Sequence, residues 1–280
     1  MPNAANITAP VTLLGIGRSG TSLIGASFGI RPDFSDCAET GGLIFGVWEG
    51  AKQSFVPHPP QYWTLFSEDN NEKSAYFVRE AIKAALPSDE QYWFHKPAGL
   101  PMTFLDWNKL PGERSPVTNF PVEWYWTVFL KTFPESRFVT VFRDPFDVAL
   151  SRADLSGWET CDTLKAIVQV YEIIQYGWDN FQSIVVFDDL IVDFEGTMRK
   201  MCADIKIPFD PLMTKAIEHN HSPVAQRSYR LNHKERWPEL SRVRLKRAEI
   251  EVLERVWERL GRNLIIPIRS TGIFGFMLGR

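Results

Sequence analysis

Residues 11–22 read VTLLGIGRSGTS, and the expected fold is most evident in these residues. Its first part, residues 11–15, is a short apolar run that ends in glycine, which predicts a buried β-strand. The next part, residues 19–28 (SGTSLIGASF), predicts a helix that Gly29 and Pro32 end. A glycine-rich turn between a buried strand and a helix is typical of a phosphate-binding loop, because backbone N–H groups at the helix start point toward an anion.

The loop from Gly15 to Ser22 has the spacing Gly-x4-Gly, but it lacks one residue of the nucleotide triphosphatases. Thr21 stands where those enzymes carry the lysine that neutralises the β and γ phosphates. The cation of this loop comes earlier, at Arg18, whose guanidinium can give one phosphate two parallel hydrogen bonds. The loop therefore predicts a ligand with one 5′ phosphate-like group and no metal. The alternative is a plain glycine-rich turn with a surface arginine.

A second strand, turn and helix start lie at residues 137–151, which read RFVTVFRDPFDVALS. The strand leads into Arg143, and Asp144 before proline is a favourable N-cap for the helix that follows. Ser151 then lies about two turns along that helix. Arg143 and Ser151 could converge on one anion from the strand end and the helix flank. In the alternative interpretation, Arg143 only caps the sheet edge and pairs with Asp144 or Asp147.

Apolar runs and helical patterns alternate along much of the remaining chain. Further strands are expected near 34–37 and at 92–95 (YWFH), 137–142 and 183–187 (SIVVF). Helical patterns occupy residues 122–133, 145–153 and 160–181, and an amphipathic pattern occupies residues 242–262. Alternation of this kind predicts an α/β fold, with a parallel sheet covered by helices on both faces. Ligands of such sheets bind at the carboxyl ends of the strands.

The composition excludes several classes of protein. The chain has 280 residues, of which 44% are hydrophobic and 23% charged, and a net charge of −3, so it has no general basic field for nucleic acid. Its three cysteines are odd in number and far apart, so we expect no disulfide framework, no structural zinc and a reducing, cytoplasmic compartment. We expect no signal peptide, because the first residues (MPNAANITAPVTLLGIG) have no basic segment and no long apolar core, and no membrane span, because no run of about 18 apolar residues is present.

At both loops the chain resembles the sulfotransferase family, which uses 3′-phosphoadenosine-5′-phosphosulfate (PAPS) as sulfuryl donor. The family's 5′-phosphosulfate loop reads Lys or Arg, Ser, Gly, Thr, then Thr or Ser, and Arg18-Ser19-Gly20-Thr21-Ser22 is similar at every position. Its 3′-phosphate site has an arginine at a strand end, an Asp/Asn-Pro turn and a serine eight residues after the arginine, as in Arg143 and Ser151. The resemblance implies a P-loop, nucleoside-triphosphate-hydrolase-like fold and PAPS as donor without a metal. The donor-binding residues that it implies are Gly17, Arg18, Ser19, Gly20, Thr21, Ser22, Arg143 and Ser151.

A third stretch resembles the family more loosely. Residues 232–261 contain RWPELS and then a helical pattern that ends in RLG, similar to a Trp and Leu-Ser segment and a last helix in many sulfotransferases. Residues 222–247 carry eight Lys or Arg and two Asp or Glu, an excess of six positive charges. A basic segment suits a nucleotide with two anionic groups, whereas the alternative is a solvated helix face.

Sulfuryl transfer to an alcohol needs a base near the acceptor oxygen and cations near the leaving oxygen. Arg18 and Lys96 are the expected cations. Three residues compete as the base, and we rank Glu39 first, since several glycan and bacterial sulfotransferases carry a catalytic Glu shortly after the first helix. His95 ranks second, because it ends a predicted strand beside Lys96. His58, in an aromatic-rich loop, ranks third.

The acceptor is expected to be a small molecule or a glycan with a hydroxyl group. We interpret residues 1–280 as a single domain in which 48–66 and 97–121, rich in proline and aromatic residues, are acceptor-side loops. Aromatic walls suit sugars, lipids and planar phenols. The apolar tail 273–278 is either a homo-oligomer contact or a core strand. Two other functions stay open, a P-loop kinase or nucleotide hydrolase and a non-catalytic nucleotide-binding protein of the same fold.

Overall fold

The computed structural model describes residues 10–37, 75–77, 79–80, 92–96, 126, 130–157, 159–219 and 234–271. Within these ranges, five parallel strands form one sheet: β1 (Val11–Leu14), β2 (Phe34–Cys37), β3 (Tyr92–His95), β4 (Arg137–Phe142) and β5 (Phe181–Val186). The helices with described bounds are α1 (Thr21–Gly29), α2 (Pro145–Ser156), α3 (Thr160–Tyr176), α4 (Phe187–Val192), α5 (Phe194–Asp204), α6 (Ala216–His219) and α7 (Arg247–Arg259), and residues 75–77, 79–80, 126 and 130–132 are also helical. Short 3₁₀ helices occupy Trp178–Asn180, Pro211–Lys215 and Lys234–Arg242, and β6 (Arg244–Lys246) pairs in parallel with β7 (Arg269–Thr271).

The strand order of the large sheet is β2-β3-β1-β4-β5, so β1 lies in the middle. The chain leaves β1 toward β2 on one side and later reaches β4 on the other side of β1. The carboxyl end of β1 is therefore a topological switch point, where α/β proteins bind ligands. Leu14 of β1 pairs with Thr140 of β4, which brings the loops that follow these two strands next to each other.

Side chains of the central strands alternate between two hydrophobic clusters, as the period of a strand requires. Leu14, Phe138 and Phe142 belong to a cluster with the apolar faces of α2, α3 and α7. Leu13 and Val139 belong to a second cluster with α1 and α5. The sheet is thus covered on both faces, which confirms the predicted α/β fold.

The predicted elements differ from the structure mainly at their ends. The bounds of β3 and β4 agree with the prediction, whereas β1 ends at Leu14 and α1 begins at Thr21. The helical pattern 160–181 stops at Tyr176, since Gly177 ends α3 and the ring of Trp178 then stacks on Phe142 at 5.7 Å between centroids.

The other differences fall on two segments. The apolar run 183–187 predicts one strand, but β5 covers Phe181–Val186 and Phe187 begins α4. The pattern 242–262 yields a helix only from Arg247, because Lys234–Arg242, which contains Pro238, forms a 3₁₀ helix followed by β6. The predicted acceptor-side loops and the tail 273–278 lie outside the described residues. In the part of the chain that is described, every helix is too short or too polar to span a bilayer.

Candidate functional site

The phosphate loop connects β1 to α1 at the switch point of the sheet. Arg18 and Gly20 both have left-handed backbone conformations, with φ of 78° and 95°. Gly20 is the N-cap of α1, and no side chain of the described residues caps this helix. The N–H groups of Thr21 and Ser22 can therefore donate to an anion at the end of the helix where its dipole is positive, whereas the N–H of Leu23 donates to the Gly20 oxygen. This is the loop that the sequence predicts.

Gly20 is needed for space as well as for its backbone conformation. A Cβ atom at this position would lie 2.7 Å from Cδ2 of Phe187, the first residue of α4. The same buried ring lies against Arg143, whose Cζ is 4.4 Å from the ring centroid. Phe187 therefore contacts both candidate anion-binding motifs. The sequence analysis missed this role, because the residue continues an apolar run and carries no polar signal.

Arg143 is buried, with 2% of its side chain exposed, and it lies directly behind the phosphate loop. Its Nη1 donates a hydrogen bond to the backbone oxygen of Arg18 at 3.0 Å. The hydroxyl of Tyr171 donates to the backbone oxygen of Arg143 at 3.0 Å, which fixes the strand end. Burial lowers the pKa of Arg143, Asp147 opposes this effect, and Arg18 adds to it. A bound anion would offset the cost of burying this positive charge.

The two predicted sites are in direct contact. Nε of Arg18 donates a hydrogen bond to Oγ of Ser151 at 3.2 Å, and Ser151 is buried on α2. Arg18 thus contacts the second site in two ways. Its side chain donates to Ser151, and its backbone oxygen accepts from Arg143. The sequence analysis assigned Arg18 and the pair Arg143 and Ser151 to different phosphates, without foreseeing that their side chains meet.

Ser19 provides a test of whether the loop fits an anionic ligand. Its Oγ is buried, and it has no hydrogen-bond partner among the described residues. A buried hydroxyl without a partner is costly unless a ligand or water supplies one. An oxygen-rich group such as a phosphate would accept its proton, so the loop fits the ligand that its sequence predicts.

Lys96 directly follows β3, and its side chain reaches the phosphate loop. Its Nζ donates to Oγ of Ser22 at 3.5 Å, and Ser22 is exposed on the first turn of α1. The predicted second cation therefore lies beside the phosphate loop. His95 belongs to β3, but its side chain lies outside the described part, as do Glu39 and His58 entirely. The choice among the three bases stays a prediction.

The segment that loosely resembles the family packs against the helix that carries Ser151. Nε1 of Trp237 donates to Oδ1 of Asp147 at 3.4 Å. Nη1 of Arg236 pairs with Asp154 on α2 at 2.6 Å. These contacts hold the 3₁₀ helix Lys234–Arg242 beside the second site.

Asp144 caps α2 next to Arg143, as the sequence predicts. Its Oδ1 accepts hydrogen bonds from the backbone nitrogens of Phe146 and Asp147, at 2.9 and 3.3 Å. Burial and the neighbouring carboxyl of Asp147 raise the pKa of Asp144 to about 7, and Asp188 acts in the same direction. This carboxyl is consequently protonated in the folded state at a pH where it is ionised in the unfolded chain.

We expect Asp144→Asn to flatten the pH dependence of stability. Between the ordinary pKa of 3.8 and the folded value of about 7, the folded state holds a proton that the unfolded state releases. The free energy of unfolding therefore decreases as pH rises through this window, and Asn removes that decrease while it keeps an N-cap acceptor. Urea unfolding at several pH values between 4 and 8 measures the slope.

Asp193→Asn is the matched control, because Asp193 is an exposed N-cap that accepts from the backbone nitrogen of Gly196 at 2.9 Å. It reports the cost of exchanging a cap carboxylate for an amide. Equal slopes in the unaltered protein and Asp144→Asn would contradict the raised pKa of Asp144.

Comparisons with known proteins agree with this architecture. A model of the sulfotransferase family matches residues 10–211. The sulfotransferase domain of an olefin synthase from Synechococcus PCC 7002 superimposes with a TM-score of 0.53 and 13% identity, over 95% of this chain and 99% of that one. A sulfotransferase domain from the curacin biosynthetic pathway gives 0.51 and 10%, over 92% and 100%. No curated protein sequence matches the chain. At such low identities the structural likeness shows the fold alone.

Proposed function

Because the chain belongs to the sulfotransferase family, we propose that it transfers a sulfuryl group from PAPS to a hydroxyl of a small-molecule or glycan acceptor. One observation carries the donor assignment: the phosphate loop and the Arg143 site are contiguous, joined by the 3.0 Å and 3.2 Å hydrogen bonds of Arg18. A ligand with two anionic groups on one adenosine suits two adjoining cationic sites. A nucleoside triphosphate would leave the second site without a phosphate.

In this proposal, each motif binds one end of the donor. The 5′-phosphosulfate end lies on the loop of Gly17, Arg18, Ser19, Gly20, Thr21 and Ser22. The 3′ phosphate lies on Arg143 and Ser151. The buried hydroxyl of Ser19, which has no partner among the described residues, would donate to the 5′ group.

The reaction exchanges one sulfur–oxygen bond for another. The acceptor oxygen bonds to sulfur, the bond between sulfur and the 5′ phosphate breaks, and the acceptor proton passes to a base. The products are a sulfate ester and 3′,5′-bisphosphoadenosine (PAP). Arg18 and Lys96 would stabilise the charge on the leaving phosphate, and no metal is required because guanidinium and ammonium groups supply the positive charge. Glu39 is the first-ranked base, before His95 and His58.

A thermal-shift comparison tests the donor class. A ligand that binds only the folded state raises its stability by about 2.7 kcal/mol at 100 times Kd. We therefore expect PAP in EDTA to raise the Tm by several degrees, and ATP with Mg²⁺ to raise it far less. A rise with ATP and Mg²⁺ alone would contradict the proposal and favour a kinase or a nucleotide hydrolase.

Transfer itself needs an acceptor screen with a sulfate-labelled donor. Glu39→Gln is the accompanying variant, since it removes the first-ranked base while it preserves the size of the side chain. If PAP binds but no acceptor is labelled, and Glu39→Gln changes nothing, the chain is a non-catalytic nucleotide-binding protein of this fold.

A further inference from the structure

Arg152, the residue after Ser151 on α2, reaches back to the phosphate loop. Its Nη1 lies 3.0 Å from the position that a Cβ atom on Gly17 would occupy. The side chain is half-buried, and its Nε is fully buried. Gly17 has no unusual backbone conformation that demands glycine. The structure thus gives another reason for glycine at this position: a Cβ there would crowd the Arg152 guanidinium and force it to shift by a few tenths of an ångström.

The position of Arg152 complements that of Arg18. The Arg18 side chain is directed toward Ser151, through the hydrogen bond of 3.2 Å. Arg143 also faces this side, through the Arg18 backbone oxygen. The Arg152 guanidinium instead lies over the start of the loop, at Gly17. The Arg18 guanidinium therefore contacts Ser151, whereas the Arg152 guanidinium lies at Gly17 of the phosphate loop.

We propose that Arg152 binds the 5′ phosphate end of the donor as a further cation of the phosphate loop, an inference that rests on the proposed function. A guanidinium is suited to this task, because it is always charged and can donate two parallel hydrogen bonds to a phosphate. The donor carries about four negative charges over its two ends, since the 3′ phosphate monoester carries up to two and the phosphate and the sulfate of the 5′ end carry about one each. Arg18, Arg143, Arg152 and Lys96 together match that charge.

The proposal is specific about which end of the nucleotide is bound. A purely structural role, in which Arg152 only braces α2 against the loop, would affect all ligands of the site alike. A binding role at the 5′ end affects only ligands that carry a 5′ phosphate. Three probes separate the two: PAP, adenosine 5′-monophosphate (AMP) and adenosine 3′-monophosphate.

The test is calorimetry of Arg152→Gln with these three ligands. We expect the affinities for PAP and AMP to fall by about tenfold to 100-fold, the range for losing a charge-assisted hydrogen bond, and that for adenosine 3′-monophosphate to change less than threefold. Arg152→Lys should recover part of the loss, because it keeps the charge but not the planar fork. Arg255→Gln, an exposed arginine of α7, is the matched control.

Gly17→Ala provides a second variant that keeps the arginine. It should weaken the binding of PAP and AMP, because the guanidinium has to shift away from Gly17. In an Arg152→Gln background it should cause little further loss of affinity. PAP and AMP affinities within twofold of the unaltered protein, or an equal loss for all three ligands, would overturn the role of Arg152. Failure of the unaltered protein to bind PAP would instead overturn the proposed function, and this inference with it.

Discussion

Arg143→Gln is expected to weaken PAP binding by about 100-fold while it leaves AMP binding within about threefold. The guanidinium is buried, with 2% exposed, and it is held between the Arg18 backbone oxygen and the Phe187 ring. Loss of the hydrogen bonds from a buried, charged donor costs about 3 kcal/mol of binding free energy, which corresponds to the expected loss of about 100-fold in PAP affinity. Calorimetry with both nucleotides measures the difference, and AMP serves as a control within the same variant.

Arg259→Gln is the matched control for the loss of an arginine packed on an aromatic ring. Its guanidinium lies 4.5 Å from the Trp178 ring centroid and pairs with Asp179 at the surface. We expect this variant to bind PAP as the unaltered protein does. PAP affinity within threefold in Arg143→Gln, or an equal loss for AMP, would contradict the assignment of the 3′ phosphate to Arg143.

Gly20→Ala is expected to lose both stability and donor binding. A residue other than glycine at φ 95° costs about 1–2 kcal/mol, and the new methyl group would lie 2.7 Å from Phe187. Overpacking of this kind costs about 1–3 kcal/mol more, unless Phe187 moves and disturbs its contact with Arg143. We expect the free energy of unfolding to fall by roughly 2–4 kcal/mol and PAP affinity by at least about tenfold.

Gly157→Ala separates the backbone cost from the steric one. Gly157 also has a positive φ, 64°, at the end of α2, but no atom of the described residues lies within 4 Å of a Cβ at this position. It should therefore lose only about 1–2 kcal/mol and keep its affinity for PAP. If both alanine variants unfold alike and bind PAP alike, the contact between Gly20 and Phe187 does not shape the site.

Local signals were sufficient to predict much of the fold and the two loops that form the proposed donor site. The apolar run of β4, the Asp144-Pro145 helix start and the glycine-rich loop each depend on neighbouring residues, and each is present in the structure. The convergence of the two loops followed from parallel pairing of β1 with β4, since carboxyl ends of adjacent parallel strands lie together.

Contacts between segments that are distant in sequence could not be predicted in this way. Phe187 continues an apolar run, so nothing local distinguishes it as the ring between Gly20 and Arg143. The approach of Arg152 to Gly17 depends on how α2 is placed over the loop. The helix period indicates which face Arg152 occupies, but not what that face meets.

In the proposed function, two adjoining cationic sites bind the two phosphates of one nucleotide. Titration calorimetry of the unaltered protein in EDTA, with PAP, AMP and adenosine 3′-monophosphate in turn, tests this arrangement. We expect one PAP per chain, bound at least about 100-fold more tightly than either monophosphate, since each phosphate adds charge-assisted hydrogen bonds. PAP binding no tighter than AMP, or no PAP binding at all, would contradict it.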